Sequence, residues 1–210
     1  LESFNDNNMS GKGEAAYYTV PEDGVYYLAF EGYDEDVIGL CRLEAELLPA
    51  ESIATGTLDF TADPAPVPGA DALWSWDEES KTLTLKDGFA LYNDDPDLGD
   101  LILLPDDATV VVEGSATVYN AGYRSIASEG SLTIRGAGAE TANLEIVGGD
   151  CAIYADDDVI VTGSTVSASG GDVVIYSYDG GVRIENSTIT AAPYYMLIGA
   201  SGDVDIVDSN

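Results

Sequence analysis

The chain has 210 residues, 45% of them hydrophobic, so it can bury a sizeable core. Seven Lys and Arg face 39 Asp and Glu, a formal net charge of −32. This charge excludes nucleic acid and anionic lipid as partners and favours cations, above all Ca²⁺, which takes carboxylate and carbonyl oxygens. There is no His, so Ser–His triads and His-based metal sites are excluded, and no apolar run is long enough to span a membrane.

Residues 1–55 form a small N-terminal β region that stands apart from the rest of the chain. "AAYYTVPEDGVYYLAFEG" reads as two strands around Pro21-Glu22-Asp23-Gly24, where Pro presets φ and Gly accepts positive φ. "IGLCRLEAELL", which holds Cys41, is a candidate third strand. The stretch vaguely resembles the closing strands of jelly-roll modules, as a fragment or as a cap over the first coil. Residues 56–71, with "TADPAPVPGADA", read as a Pro/Ala-rich crossover. "LWSWDEESKTLTL" then reads as a hairpin that enters a repeat running from residue 72 to 210.

The repeat is visible in apolar–any–apolar triplets. They start at Leu83, Val110, Leu132, Val159, Val182 and Val204, with intervals of 27, 22, 27, 23 and 22 residues. Each is a short strand with one buried face. A second register follows each triplet at Ala116/Val118, Leu144/Ile146, Val166/Ala168 and Ile189/Ala191. A third precedes the next triplet at Ile102/Leu104, Ile126, Cys151/Ile153, Val173/Ile175 and Met196/Ile198. Three short strands per 22–27 residues predict an all-β fold, a right-handed parallel β-helix of about five coils. A sandwich of antiparallel strands would also supply frequent turns, but it would not make every third strand resemble the first. By the same alternation Cys151 shares the face of Ile153 as a small buried residue. The chain stops one strand into a coil, which predicts either a longer natural protein or end-to-end self-association through the open coil.

"KTLTLKDG", "GSLTIRGAG", "LEIVGGDCAIYADDDVIVTGSTVSASGG" and "GGVRIENSTITAA" resemble the repeats of carbohydrate-binding domain-containing surface proteins from gut and cellulolytic Firmicutes. These are right-handed parallel β-helices of the pectate-lyase-like superfamily. The resemblance covers residues 72–207 and implies a secreted or cell-surface bacterial protein that binds polysaccharide, in some members with Ca²⁺. It carries no catalytic residue across, because no position matches a catalytic motif.

Two columns of outward residues are the candidate sites. Tyr154 and Tyr176 follow equivalent inward Ile residues, so their rings are expected to stack, with Tyr178 on the same face; flat rings bind sugar faces, or simply stabilise the sheet. Tyr194 and Tyr195 make a second aromatic spot. The break before each triplet carries Asp106-Asp107, Glu129, Asp156-Asp157-Asp158, Asp179 and Asp203, and the sequence "GGD" recurs at Asp150 and Asp172. Stacked carboxylates repel, so a Ca²⁺ ion held by Asp157, Asp158 and Asp179 is the expected remedy, against the plainer reading of a solvated acidic edge. A lyase would need a base such as Arg135 or Arg183 beside a bound uronate, and a glycoside hydrolase a carboxylate pair; plain ion pairing explains both arginines more simply. Outward Thr runs interrupted by Ile160, Arg183 and Asp205 argue against ice binding. The expected function is therefore non-catalytic polysaccharide or glycoconjugate binding, with a structural or adhesive stalk as the alternative.

Overall fold

The computed structural model describes residues 53–138, 142–169, 171–193 and 195–210. The turn at Pro21–Gly24, Cys41 and Tyr194 lie outside them. In chain order the strands are β1 (Ile53–Thr55), β2 (Leu58–Asp59), β3 (Trp74–Asp77), β4 (Thr82–Leu85), β5 (Phe89–Asn93), β6 (Asp100–Leu104) and β7 (Ala108–Val112). There follow β8 (Ser115–Asn120), β9 (Arg124–Ser128), β10 (Leu132–Gly136), β11 (Asn143–Gly148), β12 (Cys151–Ala155) and β13 (Val159–Thr162). The last are β14 (Thr165–Ser169), β15 (Val173–Ser177), β16 (Val182–Glu185), β17 (Thr188–Ala192), β18 (Met196–Ala200) and β19 (Val204–Val207). They form three sheets, ordered β1-β5-β8-β11-β14-β17, β2-β6-β9-β12-β15-β18 and β3-β4-β7-β10-β13-β16-β19. Every pairing is parallel except β3 with β4, the hairpin that opens the third sheet. The chain is a parallel β-helix of about five coils.

Three-strand periodicity in the sheet order comes from burial. A single coil of three short strands cannot cover its own apolar side chains, so each coil stacks on the next at roughly 4.8 Å and extends one column of core. Leu132, Val159 and Val182 stand in register, as do Ile134, Val161 and Ile184, and all six are buried. Ile126, Ile153 and Ile175 form a facing wall, fully buried, with Ile198 packed against it from the last coil. At the first coil Phe60 stacks on Trp76 at 4.5 Å and meets Trp74 edge-on at 5.6 Å, which plugs the column with rings.

Three features of the register differ from the expectations drawn from the sequence. The ladder starts before residue 72, because β1 adds to β5 and β2 to β6, both parallel. In β7 the partner of Leu132 is Ala108, and Val110 pairs with Ile134; the apolar triplet sits one pair earlier than Val110–Val112. Ala108 fills this place with so small a side chain that it escapes a search for large apolar residues. The third departure is at Cys151. β6, β12 and β15 each turn two consecutive residues into the core, Leu101 with Ile102, Ala152 with Ile153, and Val174 with Ile175. Strict alternation fails there because the chain is leaving a corner. Cys151 is buried as a free thiol, but it stands in register with Arg124 and Val173, and Ala152 takes the core position.

Val161 lies at the centre of this core, between Ile134 and Ile184 on the neighbouring coils. Val161→Asp would bury a carboxylate with no partner and should cost several kcal/mol, enough to abolish the cooperative thermal transition seen by circular dichroism. A variant that melts like the parent would contradict the inward register.

Candidate functional site

The aromatic ladder forms as expected. Tyr154 on β12 and Tyr176 on β15 pair in register, with ring centroids 6.0 Å apart and an interplanar angle of 24°. Tyr154 is covered on its other side as well: the Arg124 guanidinium lies 4.2 Å from its ring centroid. Tyr176 leans over Gly199, where an added Cβ would come within 2.6 Å of its ring. The stack is therefore a sandwich of Arg124, Tyr154, Tyr176 and the Gly199 backbone, and its ring faces are largely spent on one another. Tyr178, at the end of β15, is 54% exposed and presents its ring to solvent.

Arg124 anchors this sandwich. Its Nε lies 2.6 Å from Asp100 Oδ1, one coil below, and its guanidinium also approaches the Tyr123 ring at 5.4 Å. Burial pushes the Asp100 carboxyl above its ordinary range, against the opposing pull of Arg124. The Cys151 thiol beside it is pushed up to about 12, chiefly by burial, and stays protonated. Tyr154 donates to Asp156 Oδ1 at 2.7 Å, and burial first, then that carboxylate, raises the phenol to about 12.

Glycine organises the acidic edge and also the neighbouring corner, between β4 and β5, that holds Asp87. Asp158 Oδ1 accepts the Gly181 amide at 2.7 Å, Asp106 Oδ1 the Ser131 amide at 3.0 Å, and Asp87 Oδ1 the Ser115 amide at 2.8 Å. In each case the carboxylate clips one coil to the next by capping a turn amide. The room for it comes from a glycine above: a Cβ at Gly114 would strike Asp87, at Gly130 Asp106, and at Gly180 Asp157 and Asp158. The three expected metal ligands stand on two neighbouring coils. The Asp179 amide bonds to the Asp156 carbonyl, whereas Asp157 and Asp158 lie beneath Gly180. Among the described residues no three or more Asp, Glu or Cys side chains gather closely enough to hold a metal ion. The signal for this arrangement was present in the sequence as an Asp in one coil and a Gly one coil later.

A shallow groove of about 420 Å³ runs over this edge, lined by Asp158, Gly180, Arg183, Asp203 and Asp205 among others. Arg183 pairs with Glu185 at 3.1 Å, and Arg135 Nη1 donates to the Gly136 carbonyl at 3.5 Å, so both arginines are engaged on their own strands. A small hydroxyl column, which the apolar pattern of the sequence does not signal, completes the corners. Ser128 and Ser177 point inward at equivalent places, and their Oγ atoms donate to the backbone carbonyls of Pro105 and Asp157.

These features define a parallel β-helix whose outward polar and aromatic side chains mostly tie coil to coil. No protein family, curated protein or solved structure matches the chain.

The glycine clips and the Tyr154 phenol can each be probed by substitution. Gly180→Ala would place a Cβ 2.5 Å from the Asp157 backbone, so it should lower stability by about 1–3 kcal/mol in denaturant unfolding. Gly99→Ala meets nothing within 4 Å and should be neutral or stabilise by up to about 1 kcal/mol; equal losses would contradict the clip. For Tyr154 the readout is pH dependence. The folded state holds the Tyr154 proton more tightly than the unfolded chain, whose tyrosines ionise near pH ~10. That stability is complete below about pH 10 and is lost as pH rises toward about 12. Tyr154→Phe should flatten this part of the stability profile; an unchanged slope would remove Tyr154 as its source.

Proposed function

We propose that this chain is a rigid, non-catalytic β-helical module of a secreted or cell-surface protein that binds polysaccharide through exposed tyrosines bordering one sheet. The observation that supports this reading is their placement. Tyr123, Tyr178 and Tyr195 are 52%, 54% and 75% exposed, and all three lie at the ends of strands of the sheet β2-β6-β9-β12-β15-β18. A phenol ring offers an apolar face to a sugar and a hydroxyl for hydrogen bonding, at little entropic cost when its backbone is held in a ladder. In this reading the sandwiched Tyr154 and Tyr176 support the surface, and Tyr178 is the contact from the expected set. Ca²⁺ serves the acidic edge at Asp157, Asp158 and Asp179 as a counter-ion.

A second reading, a structural stalk segment, draws on a different observation: the capping carboxylates of Asp87, Asp106 and Asp158 and the Arg124 sandwich all join neighbouring coils. The two readings separate on a glycan array probed with Ca²⁺ and again with chelator. Binding predicts retention of polysaccharides in both conditions, reduced by Tyr178→Ala without a change in melting temperature. Absence of retention on every glycan would overturn the binding reading in favour of the stalk.

A further inference from the structure

Arg124 stands where three coils meet. It opens β9, in register with Asp100 at the start of β6 and with Cys151 at the start of β12. Its Nε lies 2.6 Å from Asp100 Oδ1, and the two side chains are 26% and 18% exposed. The atoms touch, yet the N–H is not directed at the oxygen, and neither atom makes a hydrogen bond. Among the described residues no second ion pair holds the guanidinium. Its other contacts are ring faces, Tyr154 at 4.2 Å and Tyr123 at 5.4 Å. Charge, rather than hydrogen-bond geometry, therefore fixes Arg124 against Asp100.

A partly buried cation that loses its anion is better placed in water. Arg124 already reaches solvent, so rotation of its long side chain can take the guanidinium out without moving the backbone. What it leaves behind is one face of Tyr154, whose ring also stacks on Tyr176 at 6.0 Å. Asp100 is the member of this cluster that acid neutralises. Burial holds its carboxyl above the ordinary 3.8, Arg124 opposes the shift, and the like charges of Asp59 on β2 and Asp156 beyond β12 add to it. The Cys151 thiol, with Asp150 beside it, stays protonated, and Tyr123 and Tyr178 complete the surroundings. The folded chain thus takes up the Asp100 proton more readily than the unfolded chain. That contribution to stability is complete below the ordinary value and is lost as pH rises through the raised one. Acid can therefore discharge Asp100 without the fold opposing it.

We infer that Arg124 is a charge-held lid on the Tyr154 ring with Asp100 as its catch: neutralising the Asp100 carboxylate frees the guanidinium into solvent and opens that face of the Tyr154–Tyr176 ladder. The ladder then has a closed state, covered by a residue of the chain itself, and an open state that presents a ring face. This goes beyond the polysaccharide-binding reading and does not depend on it. Where both hold, acid adds Tyr154 to the exposed rings.

Nitrogen–proton correlation spectra of the arginine Nε–Hε groups test the lid with no ligand present, so its failure leaves the polysaccharide reading intact. The chain has four arginines, at 42, 124, 135 and 183, and Arg124→Lys identifies its signal by loss. At neutral pH the Tyr154 ring current should hold the Arg124 Hε signal upfield of the others, and Tyr154→Leu should cancel that displacement. As pH falls the signal should move to the position of a solvated arginine, with a midpoint above the 3.8 of an ordinary Asp and unchanged circular dichroism. Asp100→Asn should place it there already at neutral pH, and Asp156→Asn should keep the transition. An Asp100→Asn signal that stays upfield at neutral pH would overturn the catch. A parent signal that stays upfield in acid while the chain remains folded would overturn the release. If the parent unfolds before its signal moves, the neutral-pH spectrum of Asp100→Asn decides alone.

Discussion

In a parallel coil the backbone amides and carbonyls point along the axis, so each coil is satisfied only by its neighbours. The side chains then have no choice of partner: residue pairs set by the backbone register stack like on like, Leu132 under Val159 under Val182 on one wall and Ile126 under Ile153 under Ile175 on another. Apolar columns of this kind gain with every coil added, because each new coil buries the exposed end of the last. The outer columns obey the same register whether or not it suits them. Two tyrosines are brought to 6.0 Å, which favours them, and carboxylates would be brought to rung distance, which does not. Much of the surface can be understood as a response to that enforced proximity.

Glycine is the main response on the acidic edge. Where one coil has Asp106 the next has Gly130, and where one has Asp157 and Asp158 the next has Gly180 and Gly181. The carboxylate folds over the glycine and accepts an amide of the turn above, so a charge that would repel a copy of itself becomes a link between coils, worth about 1 kcal/mol for an exposed hydrogen bond. Cations are few and are used where burial makes them most effective: Arg124 is held against Asp100 and the face of Tyr154, in a partly buried setting where charge and ring attraction are less screened.

The architecture was legible because it depends on inward period-two pairs and on fixed spacing between them. The three registers, the hairpin at Trp74–Leu85 and the Tyr154–Tyr176 stack were all readable from residue type and interval. Small residues carried the features that the pattern hid. Ala108 shifted the apolar register by one pair, Ser128 and Ser177 filled inward places without apolar signal, and Ala152 displaced Cys151 from the core where the chain leaves a corner. Whether an outward ring is open or covered was equally hidden. Tyr154 and Tyr178 lie on the same face in the sequence pattern, yet one is sandwiched by Arg124 and the other is exposed to solvent, because an arginine 30 residues away in the chain is one coil away in space.

The ladder thus holds the outward side chains in fixed places, exposed rings at strand ends and polar residues at corners, all referred to one axis. That view depends on coils interacting with their nearest neighbours and little beyond. Double-mutant cycles in the isoleucine wall test it most directly. Ile153→Val and Ile175→Val lie on adjacent coils and should couple by about 0.5 kcal/mol or more, whereas Ile126→Val and Ile198→Val, three coils apart at roughly 14 Å, should add to within about 0.3–0.5 kcal/mol. Equal coupling for the two pairs, or none for the adjacent one, would contradict a structure built coil upon coil.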